Sequence, residues 1–304
     1  MGVINRANFA KDLYPGVSKW FGLKYAEYPN EFLQIFEKNT SDKAFEEEMS
    51  VSTMGMLQLK TEGGGIAYDE MAQGNLYRYT FATYALGFMI TRELYEDGLA
   101  VTQGMRRAQA LAFSARQTQE TLAANIMNRA FNSDYTYHDA KELLATGRTL
   151  GRFGGTWANM LSVAADLSEE ALEQAIIDIG NFTNDRGLKI AIKPQSLIIP
   201  PSLMFEAQRI LKSDNQPGTA NNDINAIKSM GNFPKGVVVN HYLTDTDAWF
   251  IKTDAPDGLK FFERRALAFD TDNDWETENA KFKCTFRAGW GCTDPRGIYG
   301  SAGA

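Results

Sequence analysis

Between residues 103 and 131 apolar side chains return at the helical interval. Met105, Ala108, Leu111, Ala112, Ala115, Leu122, Ile126 and Ala130 share one side at about 100° per residue, which predicts a spine roughly eight turns long, capped by Thr102 and ended by Asn132-Ser133-Asp134. The other side carries Gln103, Ser114, Gln117, Thr121, Asn125 and Asn128, polar and uncharged. Upstream the period drops to two. Leu57 and Leu59 point one way around Gln58, and Lys60-Thr61-Glu62-Gly63-Gly64-Gly65 reads as a flexible turn. On the return, Tyr77, Tyr79 and Phe81 hold one parity and Tyr84, Leu86, Phe88 and Ile90 the other, so a bulge is expected near Ala82 and Thr83. An isolated two-stranded hairpin is marginal in water. Either its own domain or another molecule must cover this one.

Residues 1 to about 30 read as an arm with a short helix over 8–14, broken by Pro15 and Gly16. Trp20, Phe21, Tyr25 and Tyr28 follow, spaced too irregularly for one amphipathic face. Residues 133–165 read as a loop with a short helix after Asp139. The second half alternates: a helix capped by Ser168 with Leu172, Ala175, Ile176 and Ile179 as its stripe, a buried strand over 197–199 stopped by Pro200-Pro201, a helix over 202–212, and a polar loop over 218–225. Strands follow at 237–239, 249–251 and 259–263, with an extended return over 277–287 and a glycine-rich tail over 294–304. Mixed elements without a strict βαβ repeat indicate an α+β chain.

At 304 residues, 44% hydrophobic and 23% charged, the chain has ample core material for roughly two domains. No stretch approaches the roughly 18 to 20 apolar residues of a membrane-spanning helix, and the opening residues lack the apolar core of a secretory signal. A cytoplasmic, reduced setting is expected, with the sequons at Asn39 and Asn181 unused. Cys284 and Cys292 lie eight residues apart in one strand, too far to bridge. The net charge of −7 argues against a strongly basic nucleic-acid reader. Yet residues 1–24 and 101–131 are each net +3, leaving −13 for the rest.

His138 and His241 are the only imidazoles, and neither sits in a nucleophile setting, so no catalytic residue is assigned. No phosphate-cradling glycine motif occurs, and no cofactor is expected. Residues 270–278 superficially resemble a calcium loop, but Trp275 replaces its glycine and Lys281 its terminal glutamate; they read better as an exposed strand face, and no metal site is assigned.

The order of parts, together with Tyr68-Asp69-Glu70-Met71, Gly87-Phe88-Met89-Ile90-Thr91-Arg92-Glu93, Leu197-Ile198-Ile199-Pro200-Pro201, residues 218–225 and Asp294-Pro295-Arg296-Gly297-Ile298-Tyr299-Gly300, resembles tailed-bacteriophage major capsid proteins of the Hong Kong 97 fold, in the branch related to Mu-like major head subunits. That resemblance implies an N-terminal arm over 1–28, the start of a peripheral domain over 29–50, an extended E-loop over 51–92, and a peripheral domain over 93–165 with its spine helix at 101–131. An axial domain over 166–255 and, over 256–304, a return to the peripheral domain and a C-terminal tail complete it. It implies an intersubunit role for Leu57, Leu59, Lys60, Glu62, Gly63, Gly64, Gly65, Tyr77, Tyr79 and Phe81, and a lumen-facing role for the basic Lys11, Lys19, Arg106 and Arg107.

The implied function is a non-enzymatic shell of hexamers and pentamers closing an icosahedral head around DNA held by non-specific contact. It implies portal and decoration partners, no membrane partner, and assembly in the bacterial cytoplasm. The arm is too short for a fused scaffolding segment, which implies a separate scaffold or an already processed form. Nothing local marks Lys60 with Asn273 or Asn279 for the covalent cross-link some relatives make. The competing readings are an encapsulin-like nanocompartment shell and a cytoplasmic hydrolase using His138 or His241.

Overall fold

The computed structural model describes residues 9–51, 53–71, 73–97, 100–137, 139–150, 154–215, 224–274 and 276–304. The first eight residues of the expected arm, His138, Trp275 and most of the polar segment 218–225 lie outside them. In chain order the elements begin with α1 (Phe9–Glu27), α2 (Phe32–Ile35), β1 (Glu37–Thr40), β2 (Phe45–Val51), β3 (Gln73–Thr80), β4 (Ala82–Ile90), α3 (Arg92–Glu96) and α4 (Ala100–Asn128). Next come β5 (Arg148–Thr149), β6 (Thr156–Trp157), α5 (Glu169–Gly180), β7 (Pro194–Ile199), α6 (Met204–Lys212), α7 (Ala226–Met230) and β8 (Val237–Val239). β9 (Trp249–Thr253), β10 (Leu259–Asn273), β11 (Ala280–Cys292) and β12 (Ile298–Ser301) close the chain. Among the described residues no helix is long and apolar enough to cross a membrane.

One four-stranded sheet has the order β1-β10-β11-β4, with β1 parallel to β10 and the remaining pairs antiparallel. Its inner face carries Phe282, Cys284 and Ile90, covered by Ala108, Leu111, Ala112 and Ala115 of α4. The expected spine is therefore present, and its stripe is core. Small residues let it lie close. A Cβ on Gly104 would stand 3.2 Å from Ile90 Cδ1 and 3.3 Å from Val17 Cγ2.

α1 departs from expectation, because it runs through Pro15 instead of ending there. A proline inside a helix costs about 3 kcal/mol through its missing N–H and its clash with the preceding turn. Val17 and Phe21, one turn apart, are buried in the same cluster as α4 and β11, and each contributes about 1.5–3 kcal/mol, enough to offset that cost. Tyr25 and Tyr28 continue this face, while Trp20 stays outside.

The expected bulge near Ala82 is instead a change of sheet. β3 pairs with β2, β4 pairs with β11 in unbroken register, and Phe81 is the junction. The register shifts fall in β10, at Arg265.

The second sheet runs β12-β9-β7-β8, buried against α5 and α6. Ser168 caps α5 by accepting from the Ala171 N–H at 3.1 Å, and Leu172, Ala175 and Ile179 form its buried stripe. The expected glycine-rich tail includes β12, which pairs with β9 in the second sheet, and its Tyr299 hydroxyl donates to Asp178 at 2.6 Å. The short α7, capped by Asn225, was not foreseen from the sequence. No helix follows Asp139 among the described residues; that loop is ordered by the buried side chain of Arg148.

A carboxylate joins the start of α2 to the spine. Glu120 on α4, only 1% exposed, accepts from the N–H groups of Glu31 (2.9 Å) and Phe32 (3.0 Å) at the start of α2. Burial, reinforced by the Glu31 charge and opposed by those two N–H groups and Arg116, pushes Glu120 up to about 7. The folded chain then holds a proton that the unfolded chain releases. This group's stabilisation is present in full below about pH 4.5 and lost as pH rises through about 7. Thermal unfolding measured across that window is expected to fall with pH in the parent, and Glu120→Gln, which cannot ionise, is expected to flatten the slope. Equal slopes would contradict the assignment.

Candidate functional site

The loop between β2 and β3 has three parts. At its stem, Glu48 on β2 accepts from Lys260 Nζ at 2.6 and 2.8 Å, and Lys260 also reaches Asp257 at 2.6 Å. Tyr79 on β3 shares a 2.7 Å hydrogen bond with Thr293. Tyr79 is 2% exposed and clusters with Phe81 and Phe262; Tyr77 stacks on Tyr137 at 5.4 Å, and burial pushes its phenol up to about 12. Tyr77, Tyr79 and Phe81 are thus packed inside their own chain, which corrects their placement on an outward hairpin face. Strand parity shows that residues share a face; it does not show which chain covers it.

Above the stem the loop is held to the second domain. Arg186 donates to Asp69 at 2.7 Å and to the Glu70 carbonyl at 2.6 Å. Asp69 also accepts from the Gly55 N–H at 2.7 Å, and that bond, followed by Arg186, holds its carboxyl below the usual range. Across from it Asp185 accepts from Thr53, whose hydroxyl also receives Asn184 at 2.6 Å. None of these shoulder contacts was legible beforehand.

Beyond the shoulder none of the described residues covers the tip. Leu57 is 100% exposed, Leu59 95% and Tyr68 89%, with Met56, Ile66, Lys60 and Glu62 also open. The tip turns at 61–64, where Gly64 N–H donates to the Thr61 carbonyl at 3.0 Å. Gly63 sits at φ +76°, the left-handed conformation a turn's third position can demand; Gly64 and Gly65 are not in it. Contiguous exposed apolar residues of this kind mark an interaction surface.

Lys19 on α1 and Arg106 and Arg107 on α4 are exposed, and Arg107 donates to the Met89 carbonyl. Lys11 lies on α1, its side chain outside the described residues. His241 is exposed and its Nδ1 lies 2.7 Å from Glu31, tethering the second domain to the start of α2. Among the described residues no group of three or more His, Cys, Asp or Glu side chains could hold a metal ion. Cys284 and Cys292 are free and buried.

Two four-stranded sheets, a long spine helix and an uncovered apolar loop make up the described chain. The fold is similar to that of the virus-like particle from Pyrococcus furiosus, at 12% identity over 95% of this chain and 98% of that one, with a TM-score of 0.52. It is similar also to the procapsid of bacteriophage JBD30 (14% identity, 98% and 76% of the two chains, TM-score 0.55) and to the capsid of the native GTA particle (13%, 90% and 90%, 0.54). No curated protein sequence matches it. The model of the phage capsid protein family matches residues 76–301, and the chain belongs to that family. It is a major capsid protein, a structural and non-enzymatic component of the virion shell that associates with copies of itself.

Proposed function

We propose that copies of this chain form hexamers and pentamers that close an icosahedral head around double-stranded DNA. The observation that carries this reading is the loop over 53–71, anchored at stem and shoulder and uncovered at its tip, which supplies an apolar surface for a neighbouring subunit. Leu57, Leu59, Lys60, Glu62, Gly63, Gly64 and Gly65 form that contact. Lys19, Arg106 and Arg107, with Lys11 on the same arm helix, line the lumen and soften repulsion between an acidic shell and DNA without reading sequence. A separate scaffolding protein, a portal and decoration proteins act with it in the bacterial cytoplasm, and the motif at 68–71 supports a relation to Mu-like head subunits.

Electron microscopy of the purified protein, alone and with a candidate scaffold from the same genome, tests this. Curved shells or ring-shaped capsomers are expected, with Lys19 and Arg106 on the inner wall. Dispersed monomers under both conditions, or those residues on the outer wall, would overturn the corresponding part.

A further inference from the structure

The first sheet ends in an unprotected edge. β4 is its outermost strand, and Ala82–Ile90 carries no charged residue and no proline, the features that normally keep an edge strand from pairing. Thr83, Ala85, Leu86, Gly87 and Met89 are all exposed. The Met89 carbonyl turns away from β11 to accept from Arg107. In an antiparallel pair the outward-facing groups recur every second residue, so the N–H and C=O groups of Thr83, Ala85 and Gly87 face the same open side. The strand therefore presents outward backbone groups at Thr83, Ala85 and Gly87 that no described residue pairs with.

A second segment has the matching deficit. Residues 56–59, Met-Leu-Gln-Leu, are uncharged and exposed, and among the described residues they make no backbone hydrogen bond. They stand between two fixed points, the shoulder at Gly55 and Asp69 and the turn at Thr61–Gly64, so the segment is presented rather than free. Neither strand carries a charged side chain of its own, Arg107 reaching the edge only at the Met89 carbonyl, and the one occupant known to be present in every shell is another copy of this chain.

We infer that residues 56–59 of one subunit add as a strand to the open edge of β4 in its neighbour, so that main-chain hydrogen bonds fix where the loop docks and Leu57 and Leu59 cover the exposed face that carries Thr83, Ala85 and Met89. This rests on the proposal that the loop reaches a neighbouring copy. Backbone bonds supply the alignment, and alternate side chains supply the fit.

Paired cysteines test it. Subunits carrying Thr83→Cys or Ala85→Cys are mixed with subunits carrying Leu57→Cys or Leu59→Cys, assembled and oxidised; the native cysteines are buried. At least one of the four pairings is expected to give a covalent dimer at a yield about tenfold above either variant alone, because disulfide geometry tolerates only a narrow separation. In parallel, Ala85→Pro removes an outward N–H that the folded subunit does not use, and should abolish assembly while leaving thermal unfolding within a few degrees of the parent. If Leu57→Cys becomes protected in shells yet none of the pairings cross-links, the strand addition is wrong and the neighbour-contact reading stands. If Leu57→Cys stays open to alkylation in shells, both are wrong. Cross-linking of Ala85→Cys to a scaffold or decoration protein instead would also overturn the inference.

Discussion

Replacing residues 53–71 with a short Gly-Ser turn is expected to leave a subunit that folds but makes no shells. The stem does not depend on the tip: Lys260 still pairs with Glu48, Tyr79 with Thr293, and Phe81 with Phe262, all below the excised segment. What is lost, besides the exposed shoulder bonds of Thr53, Asp69 and Glu70, is a tip surface the isolated chain does not use. Leu57 and Leu59 lie almost wholly in water, and covering them on a neighbour contributes about 3–6 kcal/mol before the cost of ordering the loop. Each 1.4 kcal/mol is about tenfold in association, and every subunit of a ring makes the contact, so the assembly threshold should move far beyond usable concentrations. Sedimentation and microscopy read the loss; circular dichroism and thermal unfolding report the retained fold. Shells of normal yield from the truncated chain would show that the loop is not the contact.

The second large effect concerns folding. Arg148 is fully buried and donates to the Asp139 carboxylate, the carbonyls of Glu142 and Leu143, and Asn159. Asn159 in turn donates to the carbonyls of Leu143 (2.8 Å), Pro295 (3.0 Å) and Ile298 (3.3 Å), which ties the loop over 139–159 to the start of β12. Arg148→Met leaves Asp139 charged, nearly buried and without its partner, a change worth about 3–5 kcal/mol. At about 2–4 °C per kcal/mol for a chain somewhat smaller than this one, the melting temperature should drop by roughly 10 °C. Arg148→Met combined with Asp139→Leu should recover part of the loss, because the uncompensated charge is gone. Unchanged melting in the single variant would remove Arg148 from its role as the hub of that loop.

How far the sequence could be read follows from what each signal measures. The spine helix was legible because its apolar side repeats over 29 residues, and the α5 cap because Ser168 acts on its own neighbour. α1 was not, since its passage through Pro15 depends on the groove offered by α4 and β11, far away in sequence. The turn at 61–64 was legible from its glycines, whereas Leu57 and Leu59, expected in a hairpin arm, lie in a loop, and the strand that pairs with β3 is Phe45–Val51. The loop's stem was misplaced because Tyr77, Tyr79 and Phe81 look the same whether a neighbour or their own β10 covers them. The shoulder formed by Arg186 and Asp69, and the burial of Glu120 and Arg148, arise from long-range juxtaposition that no local pattern encodes.

Hydrogen exchange of the backbone amides between residues 56 and 68, compared in dispersed subunits and in closed shells, bears on the central claim most directly. The account predicts fast exchange in the dispersed chain, where the tip is uncovered, and slowing by about a hundredfold or more on assembly, when a neighbour buries it. Amides that exchange equally fast in the shell would show that no neighbouring copy covers the loop.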